Sequence, residues 1–373
     1  MPALPVEAYP APHAAVTVPR LRIATFSYGL PQAGVKRGGI ERVAHDLAQG
    51  LATRGHSVTV FTYDPRPEGA RYEVRPMPAA RFVTSWLGRR LTMGYLGNVL
   101  ALAPRYGEFD VVIAHGDSLL LPLRGRPVLR VMHGSALEEA RSATSWGRRI
   151  LQTGVYLQEL MTPFVNTRCV AVSENARASN PFVHQVIPNG VDLGRFHPSP
   201  GATAAHPTIL FVGALSGRKR GRFLLDRFVQ DIRPRVPDAE LLMVCPAGPA
   251  IDGVTWVDGP SDEELSRLYR TAWVYASPSS YEGFGLPYVE AMASGVPVVA
   301  TPNPGSLEVL DNGRYGILAD DDRFADEVVR LLLDSDARRA LADAGLERAR
   351  HYSLDRTVEA YEQLLLELVH HAG

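Results

Sequence analysis

The sequence predicts an α/β protein made of two domains joined by a linker. The chain has 373 residues, which is too long for one compact core and suits two domains. Short apolar runs, typical of buried parallel strands, alternate with stretches of helical periodicity. This alternation breaks off over Val186–Pro207, which contains Pro, Gly, Asn and Ala without periodicity, and then restarts. Two α/β units on either side of a linker are the simplest account.

The N-terminal half is predicted to open as a β-α-β unit. Leu21–Phe26 is a short, mostly apolar run that predicts a strand, and a second strand begins at Ser57. Between them lies a predicted helix with Gly55 placed to cap its end. Its apolar face comprises Ile40, Val43, Leu47, Ala48 and Leu51. Further strands are predicted at Asp110–His115, Pro127–Gly134 and Cys169–Glu174.

The C-terminal half repeats the alternation. Strands are predicted from Thr208, over Ala239–Cys245 and over Trp273–Pro278. Helices are predicted over Gly221–Val236 and from Ser261 or Asp262.

A stretch with two carboxylates, Ser279–Val299, follows the strand that ends at Pro278. Glu282 and Glu290 are eight positions apart, with a Gly-Phe-Gly turn between them. Pro287 suits the first turn of a helix, and Glu290 is expected in that first turn too, so the glycine turn leads from a strand end into a helix N-terminus. Free N–H groups and the helix dipole make such an edge a binding site. The alternative is two solvated acids, but spacing, glycines and context together favour binding.

Residues 281–301, YEGFGLPYVEAMASGVPVVAT, resemble the donor-binding signature of the retaining glycosyltransferases of family 4. That signature is Glu, seven residues, Glu, with a Phe-Gly turn between. Other stretches resemble further parts of this family: GGIERVAHDLAQGLATRGHSVTVFT, VMHGS, VIPNGVDLGRF and FVGALSGRKRGRFLL. The resemblance implies a GT-B fold, in which two Rossmann-like domains face each other across a cleft.

The resemblance also implies domain boundaries. Residues 1–190 form the acceptor-side domain, 191–206 the linker, and 207–352 the domain that holds a nucleotide-sugar donor. A final helix over 353–369 is expected to pack back on the N-terminal domain.

The same resemblance gives roles to the carboxylate loop. Glu290 matches the acid that binds the ribose hydroxyls, and Glu282 matches the acid near the sugar hydroxyls. The backbone of Phe284, Gly285 and Leu286 is expected to approach the sugar and the diphosphate. A carboxylate accepts two hydroxyl donors at once, which suits vicinal diols.

A basic loop follows the first strand of the second domain. It carries Arg218, Lys219 and Arg220, and Lys219 matches the family lysine that stabilises the leaving diphosphate. Where the family usually has an Arg after the glycine, this chain has Ala214. Arg218 is a candidate for the missing charge, although the alignment there stays open. The alternative is a solvated basic turn.

Three further candidates lie in the first domain. His133 matches a family histidine that contacts the donor sugar near its reacting end, although a lone histidine is more often a buried core residue. Gly38 and Gly39 precede a helix N-terminus that faces the predicted cleft. Because they carry no side chain, they are candidates for leaving room for the donor diphosphate or the acceptor. The alternative is an ordinary turn without a binding role.

The expected activity is retaining transfer of a hexose from a UDP- or GDP-sugar to a hydroxyl of a glycan, lipid or small molecule. The resemblance implies no protein nucleophile, because the departing phosphate is thought to help deprotonate the acceptor. No metal or other cofactor is expected, since no Asp-x-Asp motif ends a predicted strand. Two alternatives stay open: a sugar-nucleotide epimerase of the same fold, and a catalytically silent subunit that binds nucleotide sugars. The acid pair and Lys219 argue against the silent subunit. A dehydrogenase is disfavoured because no GxGxxG follows the first strand.

Composition bears on location and partners. The two cysteines, Cys169 and Cys245, form no CxxC or Cys/His cluster, so a reducing, cytoplasmic setting is expected. No nucleic-acid partner is expected. Residues 1–190 have a net charge of +8, from 21 basic and 13 acidic residues, while the remainder has −9. With the aromatic and arginine-bearing segment Ala80–Arg105, this charge raises the hypothesis of peripheral contact with the inner membrane face. The alternatives are uneven charge scatter and an aromatic face packed inside the domain.

Overall fold

The structure, a computed structural model, describes residues 19–32, 39–77, 104–116, 118–141 and 146–372. It consists of two parallel β-sheets with helices packed on their faces. The predicted α/β class with two Rossmann-like domains is confirmed. The first sheet ends with a strand at Gln185–Val186 and the second begins at Thr208, so the change of domain falls between them.

The first sheet has seven strands in the order β3-β2-β1-β4-β5-β6-β7, all paired in parallel. The strands are β1 (Arg22–Phe26), β2 (Ser57–Thr62), β3 (Glu73–Pro76), β4 (Val111–Ala114), β5 (Val128–Met132), β6 (Arg168–Ala171) and β7 (Gln185–Val186). The helices are α1 (Gly39–Thr53), α2 (Ala136–Arg141), α3 (Trp146–Val165) and α4 (Glu174–Ala178). This strand order reverses direction between β1 and β4, which creates a crevice at the carboxyl ends of the strands.

The second sheet has six parallel strands in the order β10-β9-β8-β11-β12-β13. The strands are β8 (Thr208–Val212), β9 (Glu240–Val244), β10 (Val254–Val257), β11 (Val274–Ser277), β12 (Val298–Ala300) and β13 (Ile317–Leu318). The helices are α5 (Gly221–Arg227), α6 (Asp262–Thr271), α7 (Leu286–Ala293), α8 (Pro304–Val309), α9 (Asp321–Leu333), α10 (Ser335–Arg350) and α11 (Leu354–Ala372). Counted from its own first strand, this sheet repeats the order of the first.

The central strands are mostly apolar and almost completely buried because helices cover both faces of each sheet. All four residues of β4 and of β11 are buried. Ile23 of β1 pairs in register with Val58 on one side and Val111 on the other, and all three are buried. The continuous apolar runs of the sequence therefore correspond to strands inside the sheets.

Two details differ from the predicted helices. The helix predicted from Gly221 ends at Arg227, and a single π-helical turn, Phe228–Ile232, follows it. Glu290 was expected in the first turn of its helix, but α7 begins at Leu286, so Glu290 is the fifth residue and lies in the second turn.

The C-terminal helix α11 packs against α1 of the first domain. A Cβ built at Gly50 would lie 2.4 Å from the Val358 side chain, so the two helices touch at the glycine. Glu362 accepts hydrogen bonds from Arg54 and from His56, the latter at 2.8 Å. Burial acts to raise the pKa of Glu362, but these two partners outweigh it and lower the pKa below its ordinary value.

Candidate active site at the interdomain cleft

The loop between β11 and α7 needs glycine at its last position. Gly285 has φ +100°, in the left-handed region that favours glycine. A Cβ built there would also lie 2.4 Å from the ring of Tyr288. The Phe284 side chain turns away and packs edge-on against Tyr352, with ring centroids 5.4 Å apart. The loop therefore offers main chain, rather than the phenyl ring, at its outer side.

Both domains hold the carboxylate loop. Ser173 of the first domain donates a hydrogen bond from its hydroxyl to the Gly283 carbonyl oxygen at 2.8 Å. A Cβ built at Gly283 would lie 3.0 Å from the carbonyl oxygen of His133. On the other side, Gly305 donates its N–H to the Glu282 carbonyl oxygen at 3.0 Å. The loop thus lies in the cleft itself, within reach of the carboxyl end of β5.

Lys219 and Glu282 form an ion pair in this cleft. Lys219 Nζ donates to Glu282 Oε1 at 2.6 Å, and the Glu282 carboxylate is buried. Arg218 Nη1 lies 4.0 Å from Glu282 Oε2, with half of the Arg218 side chain exposed. The sequence-predicted candidates from two separate loops therefore meet at one carboxylate.

The basic loop is shaped by a short 3-10 turn, Gly217–Lys219. Ser280, from the carboxylate loop, donates its N–H to the Arg218 carbonyl oxygen at 2.8 Å, which ties the two loops together. Arg220 has φ +52° and donates to both carboxylate oxygens of Asp321, away from Glu282. Of the three basic residues, Lys219 and Arg218 lie near Glu282, and Arg220 forms an ion pair with Asp321 within the second domain.

Glu290 is buried, and its carboxylate is held by a tyrosine. The hydroxyl of Tyr269, on α6, donates to Glu290 Oε2 at 2.8 Å. Burial raises the pKa of Glu290 above its ordinary value, and the charge of Arg42 and the Tyr269 hydrogen bond partly offset this. One oxygen is thus fixed by protein, and no described residue forms a hydrogen bond to Oε1.

Arg42 was not singled out from the sequence, yet it joins the two domains. Its Nη1 lies 3.1 Å from Asp262 at the start of α6, and its guanidinium is 5.6 Å from the centre of the Phe196 ring. Phe196 in turn packs edge-on against Tyr269. A contact path therefore runs from α1 to the tyrosine that holds Glu290. In the sequence, Arg42 looks like any solvated arginine on an amphipathic helix.

The N-termini of α1 and α7 converge at the cleft. A Cβ built at Gly39, the first residue of α1, would lie 3.9 Å from the Leu286 side chain, and Leu286 is the first residue of α7. Gly38 lies outside the described residues. Helix N-termini carry unpaired N–H groups and partial positive charge, so this junction suits an anion such as a diphosphate.

His133 pairs with a second histidine that the sequence did not assign. His133 Nε2 lies 2.9 Å from His115 Nδ1, and the two rings stack with centroids 5.1 Å apart. Burial, with the charge of Arg130 nearby, lowers the pKa of His115 to about 3. Burial together with His115 and Arg130 also lowers the pKa of His133 well below its ordinary value. Both imidazoles are therefore neutral at pH 7, and one proton between them fixes both tautomers.

This neutral pair predicts a pH dependence of stability. Because the native pKa values lie below the value near 6.5 of an unfolded histidine, the unfolded chain binds more protons as pH falls through that value. Stability should therefore drop below about pH 6.5. The His115→Gln variant should lose less stability than wild type between pH 7.5 and pH 5 in urea titrations. An equal loss in both proteins would contradict the neutral pair.

The candidate groups lie at the carboxyl ends of two parallel sheets. They are two helix N-termini, a lysine paired with a buried glutamate, and a second buried glutamate, an arrangement suited to a phosphate-bearing ligand.

The comparisons give the family. A family model described as Glycosyltransferase Family 4 matches residues 37–195, and one described as Glycosyl transferases group 1 matches residues 206–334. The chain is 33% identical over 366 residues to the GDP-mannose-dependent alpha-(1-6)-phosphatidylinositol monomannoside mannosyltransferase of Mycobacterium tuberculosis, covering 84% of this chain and 90% of the relative. It is 30% identical over 397 residues to the MMP alpha-(1->4)-mannosyltransferase of Mycolicibacterium hassiacum, covering 88% and 93%. The chain belongs to glycosyltransferase family 4 and is a glycosyltransferase.

The solved structures agree on the fold. Sucrose-phosphate synthase from Thermosynechococcus elongatus superimposes with a TM-score of 0.79 at 23% identity, covering 94% of this chain and 99% of that one. The predicted GT-B fold is confirmed.

Two sequence hypotheses concern membranes and metals. Within the described ranges, no helix combines the length and apolar character needed to cross a bilayer. Residues 80–103 of the segment Ala80–Arg105 lie outside the described residues, so the hypothesis for that segment stays a prediction. The same described ranges contain no group of three or more His, Cys, Asp or Glu side chains that could hold a metal ion.

Proposed function

We propose that this glycosyltransferase moves a hexose from a UDP- or GDP-sugar to a hydroxyl group with retention of anomeric configuration. The observation that carries the proposal is the ion pair between Lys219 and Glu282 in the cleft between the domains. The buried Glu290 lies on α7, the helix that follows the Glu282 loop. The Lys219 cation suits a diphosphate, the Glu282 carboxylate suits the hydroxyls of a sugar, and the Glu290 carboxylate suits those of a ribose.

Each group has a role that follows from its chemistry. Glu290 Oε1 accepts a ribose hydroxyl, while Tyr269 occupies the other oxygen. Lys219 stabilises the negative charge that grows on the departing diphosphate, aided by the N-terminus of α7. Glu282 orients Lys219 and accepts a hydrogen bond from the sugar. His133 directly follows β5, its carbonyl oxygen lies against the same loop, and its side chain contacts the sugar near its reacting carbon.

We assign no protein nucleophile to the reaction. In the proposed mechanism, the acceptor oxygen attacks the anomeric carbon on the face that the diphosphate leaves, and a diphosphate oxygen takes the acceptor proton. The bond to the leaving oxygen breaks as the new glycosidic bond forms. No metal is needed in this scheme, because Lys219 and the helix N-termini supply the positive charge.

The names of the relatives suggest the first substrates to test. One relative is named for GDP-mannose and for a phosphatidylinositol mannoside, and another is a mannosyltransferase. We therefore propose GDP-mannose as the first donor and a lipid-linked or glycan hydroxyl as the acceptor class. Small-molecule acceptors remain within the proposal.

The test begins with thermal unfolding in the presence of UDP-, GDP- and ADP-sugars. A nucleotide at 100 times its Kd stabilises the native state by about 2.7 kcal/mol, which gives a measurable shift. The stabilising donor is then incubated with candidate acceptors, and NMR of the anomeric proton reports the configuration of the product. An inverted product would contradict retention.

The same reactions separate the alternatives. An epimerase changes the sugar of the donor without any acceptor, and a silent subunit binds the donor without turning it over with any acceptor. Excess EDTA should leave transfer unchanged. Activity that EDTA abolishes and Mg²⁺ restores would contradict the metal-free scheme.

A further inference from the structure

The outer face of α3 carries an unusual concentration of exposed apolar side chains. Eleven large hydrophobic side chains are exposed in the described part of the chain, and seven of them lie on or beside this one helix. They are Trp146, Ile150, Leu157, Met161, Phe164, Val165 and Phe182. Monomeric proteins rarely expose apolar side chains in such a continuous group, so the face is expected to meet a partner.

The apolar face is a regular feature of the helix. Apart from Val165, the exposed residues on α3 recur at intervals of three, four and seven, so they form one stripe along a helix of twenty residues, about 30 Å long. Phe164 and Phe182 pack edge-on with centroids 4.7 Å apart, which extends the stripe past the end of the helix.

The opposite side of α3 is anchored to the domain. Glu159 Oε2 accepts the N–H of Ala136, the first residue of α2, at 3.1 Å. The Tyr156 hydroxyl donates to the Ser179 carbonyl oxygen at 3.2 Å, and Thr162 is buried. Because the inner side of α3 already packs against the first domain, the outward apolar stripe is not needed to hold the helix in place.

The described charged side chains on α3 are Arg149, which is exposed, and Glu159. Beyond the ends of the helix, Arg168 is exposed, whereas Arg141 is paired with Glu138 at 2.6 Å. Glu159 is turned inward to Ala136. Arg149 is exposed, and its guanidinium lies 5.6 Å from the centre of the Trp146 ring. The exposed charge on the described part of α3 is therefore positive and lies beside the tryptophan.

This charge pattern selects among the partners. A second copy related by a two-fold axis would present the same face, and the acid on α3, Glu159, is turned inward, so the helix offers Arg149 no acid on the facing copy. An anionic bilayer offers apolar depth for the stripe and negative headgroups for Arg149, and tryptophan favours the boundary between them. We propose that the outer face of α3 docks this enzyme on anionic lipid membranes.

The helix that carries the surface is joined to the proposed acceptor side of the cleft. The helix α2, which α3 holds through Glu159, begins at Ala136, three residues after His133. Docking through α3 would bring this side of the first domain to the membrane, where a lipid-linked hydroxyl is found. That last point rests on the proposed function, whereas membrane binding itself does not.

Co-sedimentation with vesicles tests the surface. Full-length protein is mixed with vesicles of phosphatidylglycerol and phosphatidylcholine, or of phosphatidylcholine alone, at low and high salt. We expect binding to the anionic vesicles only, and weaker binding at high salt. Arg149→Glu should weaken binding about fivefold or more, and Ile150→Asp with Leu157→Asp at least about tenfold.

A matched control comes from the second domain. Leu333, at the end of α9, is 66% exposed, as is Ile150, so Leu333→Asp introduces the same change on a different surface. This variant should bind vesicles like wild type. Thermal shifts with nucleotide, measured on every variant, show that the fold and the donor site are intact.

Three outcomes would overturn the proposal. They are no sedimentation of wild type with anionic vesicles at low salt, equal sedimentation of the Ile150→Asp/Leu157→Asp variant, and a dimer in light scattering that this variant converts to monomer. If wild type binds vesicles but no nucleotide stabilises it, the membrane surface stands and the proposed donor site fails. The two proposals are therefore tested separately.

Discussion

Lys219→Ala is expected to lower kcat on the order of 10²-fold, with a smaller change in the KM for the donor. The cost resembles the loss of one preorganised donor aimed at developing charge. Lys219 Nζ is held 2.6 Å from Glu282 Oε1, so the ammonium group is positioned before the diphosphate begins to leave. An interaction that strengthens as charge grows acts on the transition state and therefore on kcat.

The neighbouring residue Arg220 supplies the control for this prediction. It lies on the same loop, but both of its hydrogen-bonding nitrogens face Asp321. Arg220→Gln removes one positive charge at the next position and should leave kcat close to wild type. If both variants lowered kcat equally, general loop damage or long-range charge would explain the effect.

Stability must be measured alongside the rates. Lys219→Ala leaves the buried Glu282 carboxylate without its closest cation, which costs stability. The double variant Lys219→Ala/Glu282→Gln removes that unpaired charge. If kcat of the double variant returned to that of Glu282→Gln alone, Lys219 would have no role in the transition state.

The sequence contained most of the fold because its signals were local. Each buried strand is a short apolar run, and the caps at Gly55 and Ser261 can be identified from a few neighbouring residues. The family resemblance added the order of the domains. The π-helical turn at Phe228–Ile232 has no comparable local signal, so the helix was predicted to continue through it.

The candidate site could be predicted only in part, because several of its contacts join distant segments. Lys219 and Glu282 were each marked by their own motif, yet their ion pair spans 63 positions. His115 and Tyr269 belong to no motif, and only the folded chain brings them into contact with His133 and Glu290. Arg42 requires knowledge of how the domains meet, since its partner Asp262 is 220 positions away.

Glu290→Gln is expected to weaken the binding of the free nucleotide as well as the intact donor. A hydrogen bond to a charged group contributes roughly 1.5–3 kcal/mol, which corresponds to about a 10- to 150-fold rise in Kd. Glutamine keeps the volume of the side chain and can still accept from Tyr269, so the change isolates the charge at the ribose. Tyr269→Phe, which preserves that charge, should weaken binding less.

The pH dependence of nucleotide binding provides a second measurement on Glu290. Burial raises its pKa above the ordinary value of 4.5, so its charge is lost at a higher pH than for an exposed glutamate. Arg42, Asp46, Asp262 and Tyr269 all face this carboxyl group, and Arg42 and Tyr269 favour its charged form. Because the ionised form accepts the ribose hydroxyl, affinity should fall as pH drops through that raised pKa.

Calorimetric titration with the stabilising nucleoside diphosphate decides between ribose binding and a purely structural role. Wild type and Glu290→Gln are each titrated at pH values from neutral down to below the raised pKa of Glu290. Glutamine does not titrate, so the variant should bind weakly with a flatter pH profile, and the two curves should converge at low pH. A structural acid would instead change the melting temperature while leaving the Kd of the nucleotide at neutral pH as in wild type. That result would remove Glu290 from the donor site, because the ribose is present in every nucleotide tested.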